Sequence, residues 1–220
     1  RLISAKLKSC RRVLQRVGYR REGLDFDETL NTLDIYARRA EDAQSRAVLR
    51  GIEGHSAHCY FTGFAAALRE PFSFEKRSKR PPADPVNAML SFGYTVLASD
   101  VEAALESYGL DSYVGFYHDL KYGRPALAFD VEELFRHPVV DGLVLDIAAH
   151  ERLGLHHFEE RDAGCFLNED GRKDFLRYYE TRMGQMDDEN RNFRKSVFAQ
   201  AEHLARVAAG KAQFEPYVYH

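Results

Sequence analysis

Lys76 to Leu97 reads KRSKRPPADPVNAMLSFGYTVL, and this stretch decides what kind of fold the chain can have. Four cations, Lys76, Arg77, Lys79 and Arg80, run into Pro81-Pro82, after which Asp84 and Pro85 open a long segment with apolar residues at helical spacing. Proline suits the first turn of a helix, where its missing N–H leaves no bond unmade, and an Asp just ahead of it accepts from the orphan N–H groups. The reading is a stiff basic loop feeding a helix over about 84–108, with Gly109 past its end. Lys, Arg and a helix N-terminus all favour anions, so the loop fits a phosphate as well as it fits plain solvation.

Helical periodicity continues on both sides. Leu2, Ala5, Leu7, Val13, Leu14 and Val17 form an apolar stripe among basic residues, with Gly18 as its expected end. Residues 26–48 read as a second helix through Leu30, Leu33, Ile35, Tyr36 and Ala40, and residues 50–68 as a third through Glu53, Ala57, Tyr60, Phe64 and Leu68. Gly109, Gly115, Gly123 and Pro125 make 109–125 a loop or a very short helix. Shorter helices follow near 127–136 and 138–150, with Pro138 punctuating between them. His156 to Leu167 could form a hairpin with Gly164 in its turn, and helices resume near 169–185 and 190–209. The expectation is an all-α lobe, one domain over residues 1–220, with at most one small β-hairpin.

Composition sets the class. With 45% hydrophobic and 30% charged residues over 220 positions, the chain can bury a real core. No run approaches the roughly 18 apolar residues that span a bilayer, and no signal-peptide pattern is present, so no membrane partner is expected. Three widely spaced cysteines, Cys10, Cys59 and Cys165, suggest free thiols in a reducing, cytoplasmic compartment. The net charge of −3 hides a strong polarity: residues 1–21 carry eight Lys/Arg and no acid. Acids gather instead at Asp25–Glu28, Asp130–Glu133, Glu159–Asp162 and Asp187–Glu189. Basic surface is thus available to phosphate and acidic surface to cations. Starting inside an amphipathic pattern without Met, the chain reads as part of a longer protein.

Four side chains stand out as a cation-binding set. Glu53 sits in GIEGHSAHCYF on the third helix, His118 in VGFYHDLKYGRP within the glycine-rich connection, and Asp130 and Glu133 in ALAFDVEELFR. A three-residue spacing puts the last two on one helix face. Carboxylates with one imidazole form a hard site suited to Mg²⁺ or Mn²⁺, ions that activate a hydroxyl and steady charge on a phosphodiester. Read alone, each segment also has a plainer account. Glu53 could pair with Arg50 one turn away, and Asp130 with Glu133 matches a capping box.

Taken together these segments closely resemble the CRISPR adaptation integrases, the Cas-one family. The resemblance rests on Glu53-Gly54, on the Pro-Pro segment with Asp84, Pro85, Asn87, Leu90, Ser91, Gly93 and Tyr94, on Gly115-Phe116-Tyr117-His118, and on Asp130 to Arg136, in the family's order. It covers essentially the whole chain and implies the family's helical catalytic lobe of prokaryotic, cytoplasmic origin, without its N-terminal β-rich dimerisation lobe. It implies metal ligands and catalytic residues at Glu53, His118 and Glu133, with Asp130 as an adjacent acidic partner, and Mg²⁺ or Mn²⁺ as cofactor. Glu rather than Asp at position 133 is a variation that the family also carries. Lys76, Arg77, Lys79 and Arg80 would then grip DNA phosphate, and Asn87, Ser91 and Tyr94 would touch DNA or orient the ligands. The implied activity is insertion of short DNA fragments into a CRISPR array by transesterification. The implied partners are double-stranded DNA, the small Cas-two protein and a second copy of the chain.

Two other functions remain compatible with residues in the chain. His118-Asp119, with His55 or His58 and Asp146, evokes an HD-type metal phosphohydrolase. A non-catalytic DNA-binding subunit would need only the cations. A zinc site at His55, His58 and Cys59 lacks a second Cys/His pair at structural spacing.

Overall fold

A computed structural model describes residues 1–187 and 190–220; Asp188 and Glu189, part of the acidic stretch Asp187–Glu189, lie outside the described residues. The chain runs through α1 (Leu2–Arg20), α2 (Asp27–Glu41), α3 (Arg46–Ala67), α4 (Pro85–Ser107), α5 (Ala126–Arg136) and α6 (Gly142–Ala149). A two-stranded hairpin, β1 (Phe158–Arg161) and β2 (Gly164–Leu167), precedes α7 (Glu169–Met183) and α8 (Phe193–Ala208). The all-α expectation with one small hairpin holds.

Local chemistry sets the helix starts. Asp84 accepts from the Asn87 N–H at 2.8 Å with Pro85 in the first turn of α4. Ser45 Oγ accepts from Val48 N, which starts α3 four residues earlier than its apolar pattern suggested. That cap, with the turn before it, is why α2 stops at Glu41 instead of running to 48. Nor does Gly18 end α1: the Phe26 ring packs against that turn, and the helix continues to Arg20.

The other departure lies at Pro138. No break occurs there; α5 passes into a π-helical turn, His137–Asp141, and on into α6. A wide π turn accommodates the ring, and such turns are frequent at functional sites. Gly93 of α4 crosses this turn so closely that a Cβ would lie 2.5 Å from Val140 Cγ1.

The amphipathic α1 lies at the centre, packed on α2, α3, α5 and the π turn. Leu14 of α1 and Phe64, Leu90, Leu97, Phe135 and Phe175 from other elements are fully buried in one core. Each contributes roughly 1.5–3 kcal/mol of transfer free energy. The hairpin pairs Phe158 with Leu167, and Cys165 N donates to Pro82 O at 2.9 Å, which ties the proline pair to the sheet. All three cysteines are free thiols. Among the described residues no helix is long and apolar enough to cross a membrane.

Candidate active site

Where α1, α3, α5 and the basic loop meet there is a cavity of about 770 Å³. Glu53 from the middle of α3, His118 from the α4–α5 connection and Glu133 from α5 all line it. Residues separated by 65 and 15 positions thus share one wall.

Lys6, from α1, spans the two glutamates. Its Nζ lies 2.5 Å from Glu53 Oε1 and 2.7 Å from Glu133 Oε2. Glu53 Oε2 accepts from the Tyr117 hydroxyl at 2.7 Å, while Glu133 Oε1 meets Arg136 at 2.9 Å. Among the described residues no three His, Cys, Asp or Glu side chains are gathered to hold an ion. The cation between these carboxylates is the lysine ammonium. Burial alone would raise both glutamates' pKa values, but Lys6 at Glu53, and Arg136 with Lys6 at Glu133, hold both below the ordinary carboxylate range. Burial opposes charge on Lys6 too; Glu133 and Glu53 outweigh it and raise its pKa. Arg136 also holds Glu132 Oε2 at 2.9 Å and stacks over the Tyr94 ring at 4.8 Å.

Asp130 stands behind His118. The His118 Nδ1 lies 2.7 Å from Asp130 Oδ1. The same carboxylate accepts from three backbone N–H groups: Phe116 and Tyr117 on Oδ2 at 2.6 and 2.8 Å, and His118 on Oδ1 at 2.8 Å. Gly115 permits that clamp, because a Cβ there would sit 2.9 Å from Asp130 Oδ2 and 2.8 Å from Ala126. A carboxylate oxygen only accepts, so Nδ1 carries the hydrogen of this bond and Nε2 is the ring nitrogen left for another partner. This is the carboxylate–histidine pairing that fixes imidazole ligands elsewhere.

Asp130 and Glu133 therefore share a helix and not a target: Asp130, fully buried, serves the loop, and Glu133 faces α1. Since α5 begins at Ala126, neither belongs to a capping box. Arg50 pairs with Asp119 at 2.6 Å, not with Glu53, and binds the His118 loop to α3.

The basic loop is held by the helix it precedes. Arg77 donates to Asn87 Oδ1 at 2.8 Å and Ser91 Oγ at 3.0 Å, and lies 5.3 Å over the Tyr94 ring. Asn87, fully buried, also donates to Lys76 O and Asp84 and accepts from Ser78 N. In this structure Asn87, Ser91 and Tyr94 hold the loop through Arg77, and Tyr94 also lines the cavity; the buried Asn87 amide finds its partners inside. Lys76, Lys79 and Arg80 are exposed, and Lys76, Arg77 and Lys79 line the cavity.

Of the HD-type set, His58 lines the same cavity as His118, whereas His55 packs on the Tyr36 ring at 5.1 Å and Asp119 is committed to Arg50 and Arg46. Asp146 pairs with His150 and Arg152. Sequence reasoning did not single out Lys6, Tyr117, Arg136, or the pair His137–Asp141 beside the cavity. A signal existed for Lys6: it falls among Ile3, Leu7, Cys10 and Leu14, on the buried stripe of α1.

Comparison with known proteins bears on the family and the fold. The profile of the family described as "CRISPR associated protein Cas1" matches residues 1–181. A protein named CRISPR-associated endonuclease Cas1 3, from Thermus thermophilus, is 38% identical over 204 residues, which cover 90% of this chain and 60% of that protein. A Cas1 protein structure from Thermotoga maritima superposes with a TM-score of 0.84 at 26% identity, covering 98% of this chain and 66% of that one. A chain in a Cas6-RT-Cas1–Cas2 complex superposes with a TM-score of 0.87 at 27% identity, over 98% of this chain and 24% of its own length.

Proposed function

This chain belongs to the Cas1 family of CRISPR-associated proteins, and on that premise we propose that it is the catalytic lobe of a DNA integrase and endonuclease that inserts fragments into a CRISPR array. One observation carries the reading: Glu53, His118 and Glu133 meet in a single cavity walled by Lys76, Arg77 and Lys79. A Thermus relative is named an endonuclease, and a structural neighbour sits in a complex with Cas2. The chain spans 60% of that relative's length, and the partners belong to the same proposal: double-stranded DNA, a Cas2-type protein and a second copy.

The donor set fits a hard divalent ion. Two carboxylates already embrace one cation, and an imidazole beside them has its tautomer fixed by Asp130. Mg²⁺ or Mn²⁺ held by Glu53, Glu133 and His118 would supply Lewis-acid activation of a hydroxyl and neutralise charge on the phosphodiester. The chain's own residues supply the rest. Lys76 and Lys79 hold DNA phosphate by charge without reading bases. Asp130 aims His118, Arg136 fixes Glu133, and Tyr117 fixes Glu53. In the reaction a fragment's 3′-hydroxyl forms a new P–O bond as an array P–O bond breaks, which leaves a 3′-hydroxyl there. One phosphodiester replaces another, so no ATP is consumed. Water in place of the hydroxyl gives cleavage.

The test is strand transfer of a labelled fragment into a repeat-bearing plasmid by the full-length protein with its Cas2-type partner and Mn²⁺. His118→Ala and Glu133→Ala are expected to lose about a hundredfold or more. Undiminished transfer by both variants would sink the reading.

A further inference from the structure

The cation that joins Glu53 to Glu133 here belongs to the protein. Lys6 is 7% exposed; its ammonium donates to Glu53 Oε1 and ion-pairs with Glu133 Oε2, a buried oxygen with no hydrogen-bond partner among the described residues. The remaining oxygens are taken: Tyr117 holds one of Glu53 and Arg136 one of Glu133. Each of the four oxygens thus has a cation or a hydroxyl against it, Glu133 Oε2 through charge alone. A divalent ion such as Mg²⁺ needs an oxygen from each carboxylate at about 2.0–2.1 Å. One of the three donors must then give way.

The three are not equally free to leave. Arg136 is anchored a second time on Glu132 and a third on the Tyr94 ring. Tyr117 is fixed by its own N–H on Asp130. Lys6 has no such second anchor, and it sits on a flexible four-carbon stem at the edge of the 770 Å³ cavity. A doubly charged ion also repels an ammonium twice as strongly as a singly charged one does. We propose that Lys6 is the resident counter-cation of the Glu53–Glu133 pair, keeping the two carboxylates together without metal and yielding its place when a divalent ion binds. Metal entry then frees a positive charge on the wall of the DNA-facing cavity. The inference rests on the metal reading of these glutamates given above.

Two measurements on the full-length protein test it. In crystals of the wild type grown with EDTA, Lys6 Nζ is expected within about 3 Å of both carboxylates; with Mn²⁺ it is expected to have left at least one. By calorimetry, Mn²⁺ is expected to bind Lys6→Met about tenfold more tightly than wild type. Lys6→Met should melt lower in EDTA and gain more from Mn²⁺. Mn²⁺ bound at Glu53 and Glu133 with Lys6 still on both, or an affinity unchanged or weaker in Lys6→Met, overturns the inference and leaves the metal reading standing. Wild-type protein that shows no Mn²⁺ binding sensitive to Glu133→Gln removes the metal reading and this inference with it. Should Lys6→Met fail to fold, the wild-type crystals decide alone.

Discussion

His118 and His137 each bring Nδ1 to a buried aspartate at nearly the same distance, 2.7 Å to Asp130 and 2.6 Å to Asp141. Their surroundings separate them. Asp130 spends its remaining capacity on three backbone N–H groups of a loop, and His118 is left 22% exposed on the cavity. Asp141 accepts instead from two phenols, Tyr60 at 2.9 Å and Tyr94 at 2.5 Å, and His137 is 4% exposed, its Nε2 without a hydrogen-bond partner among the described residues. Burial, reinforced by Asp141, pushes both phenols well above their usual range, so they remain donors. Both imidazoles line the same cavity, but His118 is the more open to solvent there. The His137 pair knots α3, α4 and the π turn together. The lesson is that an imidazole–carboxylate pair acquires a chemical role only from what the far nitrogen faces.

The largest effects would break that contrast outright. His118→Ala should lose about a hundredfold or more of strand transfer with little change in Tm. His137→Ala should do the reverse, lowering Tm while folded protein keeps most of its turnover. A His137→Ala variant with native Tm and no activity would erase the distinction. The aspartates sharpen it. Asp141→Asn strips the acceptor from two phenols and an imidazole and should cost about 2–4 kcal/mol in denaturant unfolding. Asp130→Asn should show mainly as a loss of about 10–100-fold in Mn²⁺ affinity or activity.

How much of this could be read from the sequence follows the range of the interaction. Asp84-Pro85 announced the start of α4 because a cap is settled within one turn. The meeting of Glu53, His118 and Glu133 is not encoded in any spacing; it became legible only through the family resemblance. Lys6 was passed over as one of eight basic residues, although its position on an apolar stripe marks a charge that must find buried partners. The knot at Asp141 was hidden by Pro138, read as punctuation, because a π turn carries no periodic signature. Asn87, Ser91 and Tyr94, expected to touch DNA or orient the ligands, converge on Arg77, ten to seventeen residues earlier in the chain.

The loop gives a middle-sized test of the same division between facing space and facing protein. Lys79→Ala should weaken DNA binding equally for all sequences and shift the slope of log affinity against log salt by about 0.9. Arg77→Ala should instead lower Tm by releasing the loop from α4, because its guanidinium is already spent on Asn87 and Ser91. An Arg77→Ala protein with unchanged Tm and a salt slope altered as in Lys79→Ala would place Arg77 among the DNA contacts.

The smallest expected effect is in the pH dependence of stability, and it separates the cavity from the knot. Glu53 and Glu133 have depressed pKa values in the folded chain, so their contribution is present above the ordinary carboxylate value near 4.3 and is lost as pH falls below it. Lys6 has a raised value, so its contribution is complete below about 10.4 and is lost as pH rises through the higher folded value. Together they predict a plateau in Tm between roughly pH 5 and 10 with a fall on the acid side. Glu133→Gln should flatten that acid limb while lowering the plateau, since it leaves Lys6 and Arg136 short of a partner. Tyr94→Phe removes a donor whose phenol stays protonated across the whole plateau, so the curve should drop by about 1 kcal/mol with its shape kept. If Tyr94→Phe reshapes the acid limb and Glu133→Gln does not, the acid sensitivity resides in the knot around Asp141, and the cavity carboxylates are not the charge-paired cluster described above.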